Sequence, residues 1–260
     1  MLFAQGRRPT RAAMLDFVAR QQSVVLSHDP AGEAGVELAV ADGEPRPLGR
    51  RSAGTQHEVW LELLRDGLTF DLRGLAPGPS PDVPPIAHRF DFAPGEGEGE
   101  DALEALAILP GPHLAGGERS MPVLKAILGL ARDLTLHFPD LLAIHWAPSR
   151  SCIGRRFFES VITAWLDGGA FPALGLTAFE ETHDGALQSI GLATWIGQEV
   201  RIEPPLTNDK IAATRLGVRL INQLVIVGGL DESERIIAPD GTRLVMQTSR
   251  NSQFIRIRRE

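Results

Sequence analysis

The residue types best suited to chemistry lie together between His145 and Arg156. This segment contains a histidine, two serines, the chain's single cysteine and three arginines, where a predicted central strand is followed by a predicted helix. Ligands of open α/β sheets bind beyond the carboxyl ends of the strands, and the N–H groups at a helix N-terminus favour anions. The segment therefore predicts a small-anion or ligand site, formed by His145, Ser149, Arg150, Ser151 and Arg155.

Other interpretations of this segment stay open. Its spacing matches none of the motifs of a catalytic cysteine loop, a nucleophilic serine elbow or a phosphate-binding P-loop, and no catalytic residue is assigned. Serines at a helix start are also common N-caps, so Ser149 or Ser151 can begin the helix while the arginines stay on the surface. Cys152 is either a nucleophile paired with His145 or a small residue in the first helical turn.

Four residues of metal-binding types lie within five positions near one predicted hairpin turn: Glu180, Glu181, His183 and Asp184. Neighbouring residues of a strand point to opposite faces, so at most two or three of these side chains can converge on one ion. No second cluster completes a ligand set. The group predicts a solvated turn, with a metal site as the alternative, and we expect no metal or other cofactor.

The basic end of the chain has two interpretations as well. The last predicted strand, at residues 254–258, contains Arg256 and Arg258 and is followed by Arg259. Arg250 lies between this strand and the one predicted at 243–247. Charged residues at a sheet edge discourage aggregation, and this is the simpler explanation of their position. The alternative is a contact surface for an acidic partner.

A segment with two glycines carries a family resemblance. Gly191, Leu192, Gly197 and Glu199 form the pattern Gly-Leu-x4-Gly-x-Glu, followed by an alternating strand. This pattern resembles an uncharacterised family of bacterial proteins, with looser matches at residues 141–146 and 171–176. The resemblance implies a fold for the C-terminal half and carries over no catalytic residue. Glu199 is expected to accept backbone N–H bonds at the bend, or alternatively to line a ligand pocket, and Trp195 is expected in the core.

Composition bounds the class of protein. The chain has 260 residues, of which 43% are hydrophobic and 23% charged, as in ordinary globular proteins. Its net charge of -7 repels phosphate backbones and anionic lipids, so we expect neither nucleic acid nor a membrane as a partner. The single cysteine suits a reducing compartment, and no signal-peptide core is present, so the predicted location is the cytoplasm.

Periodicity and turn residues predict the elements that position these groups. The first half contains a helix at residues 11–22 with Thr10 as its candidate cap, and strands at 24–27 and 36–40. A β-hairpin at 59–64 and 68–73, with its turn at Asp66 and Gly67, and a strand at 103–109 follow. The second half contains helices from Ser120 to about His137, from Ser149 or Ser151 to Gly168, and from Asn208, capped by Thr207, to about Val227. Its strands are expected at residues 141–146, 173–180, 186–195, 243–247 and 254–258.

These elements predict an α+β fold, with a mixed β-sheet and about three helices packed on it in the C-terminal half, preceded by a β-hairpin-rich N-terminal part. The acidic glycine run 94–101 predicts a boundary between residues 1–95 and 101–260, although both parts can share one compact domain. We expect a non-catalytic cytoplasmic binding or regulatory protein of bacteria, as an accessory or immunity-type factor, whose partner is another protein or a small anionic molecule. The alternative is a small-anion binder or hydrolase-like enzyme with a pocket near His145, Ser151, Arg155 and Glu199.

Overall fold

A computed structural model describes residues 1–32, 60–93, 103–238 and 240–260. The chain divides into two compact units. The first comprises Met1–Val83, Pro94–Glu118 and Pro122–Leu142, and the second comprises Pro84–Ala93, Arg119–Met121 and Ala143–Glu260. The acidic run 94–101 and the strand expected at 36–40 lie outside the described residues, so the predicted boundary stays a prediction.

Helices and strands are both present in an α+β fold, which confirms the predicted class. The helices are α1 (Arg11–Arg20), α2 (Met121–His137), α3 (Arg155–Leu166), α4 (Ala173–Leu176), α5 (Ala193–Ile196) and α6 (Lys210–Val227). The strands are β1 (Leu2–Ala4), β2 (Val24–His28), β3 (Trp60–Arg65), β4 (Leu68–Arg73), β5 (His88–Phe90), β6 (Leu103–Ala105), β7 (Ala107–Pro110), β8 (Leu141–Trp146), β9 (Ser151–Gly154), β10 (Ala178–Glu181), β11 (Leu187–Ile190), β12 (Glu199–Ile202), β13 (Glu234–Ile237), β14 (Arg243–Thr248) and β15 (Phe254–Arg259). Among the residues described, no helix is long and apolar enough to cross a membrane.

The first unit contains an antiparallel sheet in the order β2-β3-β4-β7. The predicted hairpin is confirmed as β3 and β4, joined by Asp66 and Gly67 with φ angles of 52° and 78°. Positive φ at both positions is what a two-residue hairpin turn of matching twist requires. The single strand expected at 103–109 is wrong, because β6 pairs with β1 whereas β7 pairs with β4.

The second unit is built on a six-stranded sheet in the order β10-β11-β12-β15-β14-β13, in which β12 and β15 run parallel. One face of the sheet is apolar and buried, with the side chains of Val200, Ile202, Leu244, Met246, Ile255 and Ile257. Helix α6 packs against this part of the unit at Gly217, where a Cβ atom would lie 2.6 Å from the ring of Phe179. The opposite face of β12, β15 and β14 carries the polar residues of the alternating strands.

The helix expected from Ser149 or Ser151 begins later, and this prediction is corrected. A 3-10 turn covers Ala147–Ser149, Arg150 has a φ of 52°, and Ser151–Gly154 form β9. Strand β9 pairs with β8 on one side and with β5 on the other, so its backbone groups are used in ladders. Helix α3 therefore starts at Arg155, with Gly154 as its N-cap.

Three further boundaries differ from expectation. The cap of α6 is Asp209, whose carboxylate accepts from Ala212 N at 3.0 Å, whereas Thr207 donates to the carbonyl of Gly185 at 2.7 Å. The strand expected at 186–195 ends at Ile190, because Gly191 turns the chain with a φ of 89° and α5 follows. The strand expected at 173–180 likewise begins only at β10, since α4 precedes it.

Candidate functional site

The two serines of the predicted site are buried inside the second unit. Ser149 Oγ lies 2.8 Å from Ser151 Oγ and 3.0 Å from the carbonyl oxygen of Gly175. Ser151 Oγ also lies 3.3 Å from the carbonyl oxygen of Ser149. Both hydroxyls therefore have partners within the protein, and they join the turn before β9 to α4.

The two arginines of the predicted site occupy different positions. The guanidinium of Arg150 pairs with the carboxylate of Glu180, and His88 Nε2 lies 3.3 Å from the same carboxylate oxygen. Arg155 is the first residue of α3 and is half-buried. The structure thus turns Arg150 toward β10, while Arg155 follows β9.

His145 and Cys152 are directly opposite each other in the β8–β9 pair. Burial raises the pKa of the Cys152 thiol to about 11. Burial also lowers the pKa of His145, although a hydrogen bond with the backbone of Pro85 acts in the opposite direction. Because the thiolate is the reactive form of cysteine, a thiol with this raised pKa is poorly suited to nucleophilic attack at neutral pH.

Glu199 holds the bend after β11 in place. Its Oε1 accepts from the backbone N–H groups of Gly191 at 2.9 Å and Ala193 at 3.0 Å. Its Oε2 accepts from Leu192 N at 3.2 Å and from Ser189 Oγ at 2.5 Å. Burial is the largest influence on this carboxyl and raises its pKa, against the effect of these hydrogen bonds.

The bend held by Glu199 is packed against the serine turn. Gly191 approaches this turn so closely that a Cβ atom there would lie 2.9 Å from Ser149 N. The predicted site residues Ser149, Ser151 and Glu199 therefore belong to one packed region. The four hydrogen bonds to the carboxylate support a structural role for Glu199, because the N–H and O–H donors around it are already bonded to a side chain of the protein itself.

An aromatic cluster confirms the predicted burial of Trp195. This side chain is 8% exposed, and its ring contacts Phe171 edge to face with centroids 4.8 Å apart. The ring centroids of Trp165 and Trp146 lie 5.7 and 6.0 Å from the ring centroid of Trp195. Trp195 lies in α5 rather than in a strand, and its indole N–H has no hydrogen-bond partner among the described residues.

The acidic residues near the β10–β11 turn are paired with cations. Glu181 accepts from Lys210 Nζ at 2.6 Å, and Asp184 pairs with the guanidinium of Arg201. Hydrogen bonds from Thr182 and Arg201 lower the pKa of Asp184 to about 2. Within the described ranges, no group of three or more histidine, cysteine or acidic residues is placed to hold a metal ion.

The outward face of the six-stranded sheet brings together arginines that are far apart in the sequence. Arg256 lies beside Gln247, Arg258 lies beside Val245, and Val245 lies beside Arg235 on β13. Arg243 lies opposite Ile237 and two residues from Val245, so it shares this face. We call this surface the arginine face, and its four arginines are Arg235, Arg243, Arg256 and Arg258, all of them exposed.

The sequence pattern predicts only part of the arginine face. The alternation of Ile255 and Ile257 with Arg256 and Arg258 marks one strand with an apolar and a basic side. Arg235 belongs to a strand that was not expected, and Arg259 lies opposite Leu244, on the other side of β15. The strand alternation could have shown the difference between Arg258 and Arg259 before the structure was known.

The arginine face has few carboxylates of its own. Between Arg243 and Glu260 the chain contains five arginines and one glutamate, although the whole chain has a net charge of -7. Arg235 Nε lies 2.9 Å from Glu260 Oε1, and Arg256 Nε lies 3.7 Å from Glu203 Oε1. Arg258 bonds the amide oxygen of Gln247 instead of a carboxylate.

A groove of about 720 Å³ opens on this side of the second unit. It is lined by residues of β14, β15 and the turn between them, among them Gln247, Phe254, Arg256 and Arg258. The groove is open and is lined by arginines. It therefore suits an extended anionic segment better than a small molecule, which binds in an enclosed pocket.

No protein-family model, curated protein or solved structure matches the chain. The resemblance carried by Gly191, Leu192, Gly197 and Glu199 therefore stays a prediction.

Proposed function

We propose that this protein is a non-catalytic binding protein that recognises an acidic segment of another protein through the arginine face. The observation that carries the proposal is the alignment of four exposed arginines on one side of the sheet, in a chain whose net charge is negative. The predicted role as a regulatory, accessory or immunity-type factor of bacteria belongs to this proposal. So does the cytoplasm as its location, where a single cysteine stays reduced.

Carboxylates are the groups that this surface fits best. A guanidinium presents a planar set of donors that binds a carboxylate through two parallel hydrogen bonds. A single exposed ion pair contributes at most about 1 kcal/mol, so recognition requires several arginines acting together. Four of them also attract an acidic partner during the encounter and so increase the association rate.

The charge of the rest of the chain favours a short acidic segment over a long polyanion. Electrostatic interactions are screened over about 10 Å at 0.1 M salt. A short segment on the arginine face therefore experiences mainly the local positive charge. Nucleic acid extending beyond this face would also approach the remaining surface of a chain with a net charge of -7, which opposes binding.

The side chains whose types are best suited to catalysis support a non-catalytic role. The Cys152 thiol has a pKa of about 11, and the Ser149 and Ser151 hydroxyls are turned toward partners inside the protein. The Glu199 carboxylate accepts four hydrogen bonds from its own chain. The thiol is buried, and the other three groups are bonded to the protein's own chain.

A charge-reversal experiment tests the proposal. The probe is a fluorescein-labelled peptide with the repeat Glu-Thr-Val-Thr, and its binding is measured by fluorescence anisotropy. The double variant Arg235→Glu/Arg243→Glu should raise the Kd by at least about tenfold, because two exposed ion pairs of up to about 1 kcal/mol each are lost and the new carboxylates repel the peptide. The matched control is Arg215→Glu/Arg219→Glu on α6, which makes the same charge change at two exposed positions and should leave the Kd nearly unchanged.

The same assay includes two comparison probes. A peptide with glutamine in place of glutamate should bind at least about tenfold more weakly than the acidic peptide. A single-stranded oligouridylate should bind more weakly still. Equal losses in both double variants, or a preference for the oligonucleotide, would overturn the proposal.

A further inference from the structure

Strand β13 forms one border of the six-stranded sheet. In the part of the chain that the structure describes, it pairs with β14 alone. Ala238 N donates to the carbonyl of Thr242 at 2.8 Å, just beyond the end of β13. Because antiparallel ladders alternate, the backbone groups of Ile236 face β14, whereas those of Arg235 and Ile237 point away from the sheet. This border therefore offers a short row of backbone donors and acceptors.

The side chains along this border are uncovered. The Arg235 side chain is 79% exposed and Ile237 is 73% exposed. Proteins usually protect a sheet edge with charges, proline, bulges or a covering segment. Here one residue of the border is charged and the next on the same face is a large apolar side chain, which leaves the edge open for pairing.

The border is continuous with the arginine face. Ile237 is the cross-strand neighbour of Arg243, and Arg235 is the neighbour of Val245, whose other neighbour is Arg258. A strand added beside β13 would have every second side chain on this same face. Its side chains would meet Arg235 and Ile237 at positions two residues apart.

We infer that the free border of β13 binds an extended segment of the partner as a seventh strand, with an acidic residue beside Arg235 and an apolar residue beside Ile237. This inference rests on the proposed function and specifies how the acidic segment docks. Main-chain hydrogen bonds to Arg235 and Ile237 hold the segment, and the alternating side chains select it.

Charge favours an acidic segment over a second copy of this chain at this border. Two copies joined side by side through β13 would form one continuous sheet. With their outward faces on the same side, the second copy would add four more arginines to a surface that already has four. Like charges on one sheet face destabilise the pairing, whereas carboxylates near Arg235 and Arg243 stabilise it.

The first test changes the border of the protein. Ile237→Pro removes the outward N–H group and leaves the hydrogen bonds between β13 and β14 in place, so it should raise the Kd of the Glu-Thr-Val-Thr peptide by at least about tenfold. Ile237→Ala is the matched control, because it shortens the side chain and keeps the N–H group. It should weaken binding less than Ile237→Pro does, and a loss as large as that of Ile237→Pro would contradict the assignment of main-chain bonds.

The second test changes only the peptide, so it does not depend on the folding of a variant. Two versions of the peptide carry N-methyl groups on alternate residues, one on the Glu and Val positions and the other on the Thr positions. One set of amides in an added strand faces β13 and the other faces solvent. One methylated peptide should therefore lose binding by at least about tenfold and the other should keep it.

The outcomes separate this inference from the proposed function. If Arg235→Glu/Arg243→Glu abolishes binding while Ile237→Pro binds the unmodified peptide normally and both methylated peptides bind the wild-type protein normally, strand addition is wrong and the arginine face remains a binding surface. If the charge-reversed variant binds normally, the proposed function is wrong. A wild-type dimer that Ile237→Pro dissociates in sedimentation experiments would assign the border to a second copy and overturn the inference.

Discussion

The carboxylate of Glu199 accepts a hydrogen bond of 2.9 Å from the backbone N–H of Gly191, eight residues earlier in the chain. This bond fixes the bend that ends β11 and brings Gly191 against Ser149. We therefore expect Glu199→Gln to lower the free energy of unfolding by about 2 to 3 kcal/mol, because an amide group cannot accept at both positions and leaves buried N–H donors without partners. Chemical denaturation measures this change, and Glu203→Gln, outside the bend, is a control that should cost less.

The same pair predicts a pH dependence with a definite sign. Burial raises the pKa of Glu199, so the folded protein binds this proton more tightly than the unfolded chain does. The contribution of Glu199 to stability is then full below its unfolded pKa and decreases as the pH rises through the folded pKa. The difference in unfolding free energy between wild type and Glu199→Gln should shrink as the pH rises above about 4.3, the ordinary pKa of a glutamate. A difference that grows with pH would show that the hydrogen bonds outweigh burial.

Trp195 should contribute strongly to the stability of the second unit. Its ring is 8% exposed and contacts three other aromatic rings. Trp195→Ala should cost about 3 to 5 kcal/mol in a denaturation experiment, because it opens a large cavity. Trp195→Phe should cost clearly less, since the ring contacts are partly kept. A loss below about 1 kcal/mol for the alanine variant would contradict the packing described for this cluster.

Cys152 should be unreactive in the native protein. Its thiol is buried, and its pKa of about 11 leaves little thiolate at about pH 8. Iodoacetamide labelling followed by mass spectrometry should find the native protein unmodified and the denatured protein fully modified. Rapid labelling of the native protein would indicate an accessible thiolate and would favour the alternative of a nucleophile paired with His145.

The start of α6 depends on Asp209 and not on Thr207. Asp209→Ala should lower the unfolding free energy by about 1 kcal/mol, because it removes the acceptor of the Ala212 N–H group. Asp209→Ser should restore most of this loss, since serine is an equally good cap. Thr207→Ser keeps the hydroxyl that donates to Gly185 and should be nearly neutral. Equal losses in Asp209→Ala and Asp209→Ser would show that the side chain does not cap the helix.

The small-anion alternative has a direct test at Arg155. We expect phosphate, sulfate and citrate at constant ionic strength to change the melting temperature of wild type and Arg155→Ala alike. The reason is that the hydroxyls of Ser149 and Ser151 already have partners inside the protein. A rise with phosphate that only the wild-type protein shows would establish an anion site near the start of α3.

Local pattern was sufficient for the elements whose structure depends on neighbouring residues. Asp66 and Gly67 close the β3–β4 hairpin, Thr10 caps α1 through Ala13 N, and the alternation in β15 separates its apolar from its basic side. Each of these features follows from turn geometry, helix capping or the two-residue period of a strand. The burial of Trp195 followed from the same kind of reasoning, although the helical bend around it did not.

The features that the local pattern did not predict depend on pairing between strands that are distant in the sequence. Ser151 looks like a helix cap in sequence, but the edges of β5 and β8 draw residues 151–154 into a sheet and move the helix start to Arg155. The arginine face likewise exists because β13 pairs with β14 and β15 pairs with both β14 and β12. The order and register of those strands bring Arg235 beside Val245. The local sequence pattern does not determine this register, because other patterns would be compatible with it. Cross-strand neighbours depend on the free energy of the whole sheet, which no single segment of sequence contains.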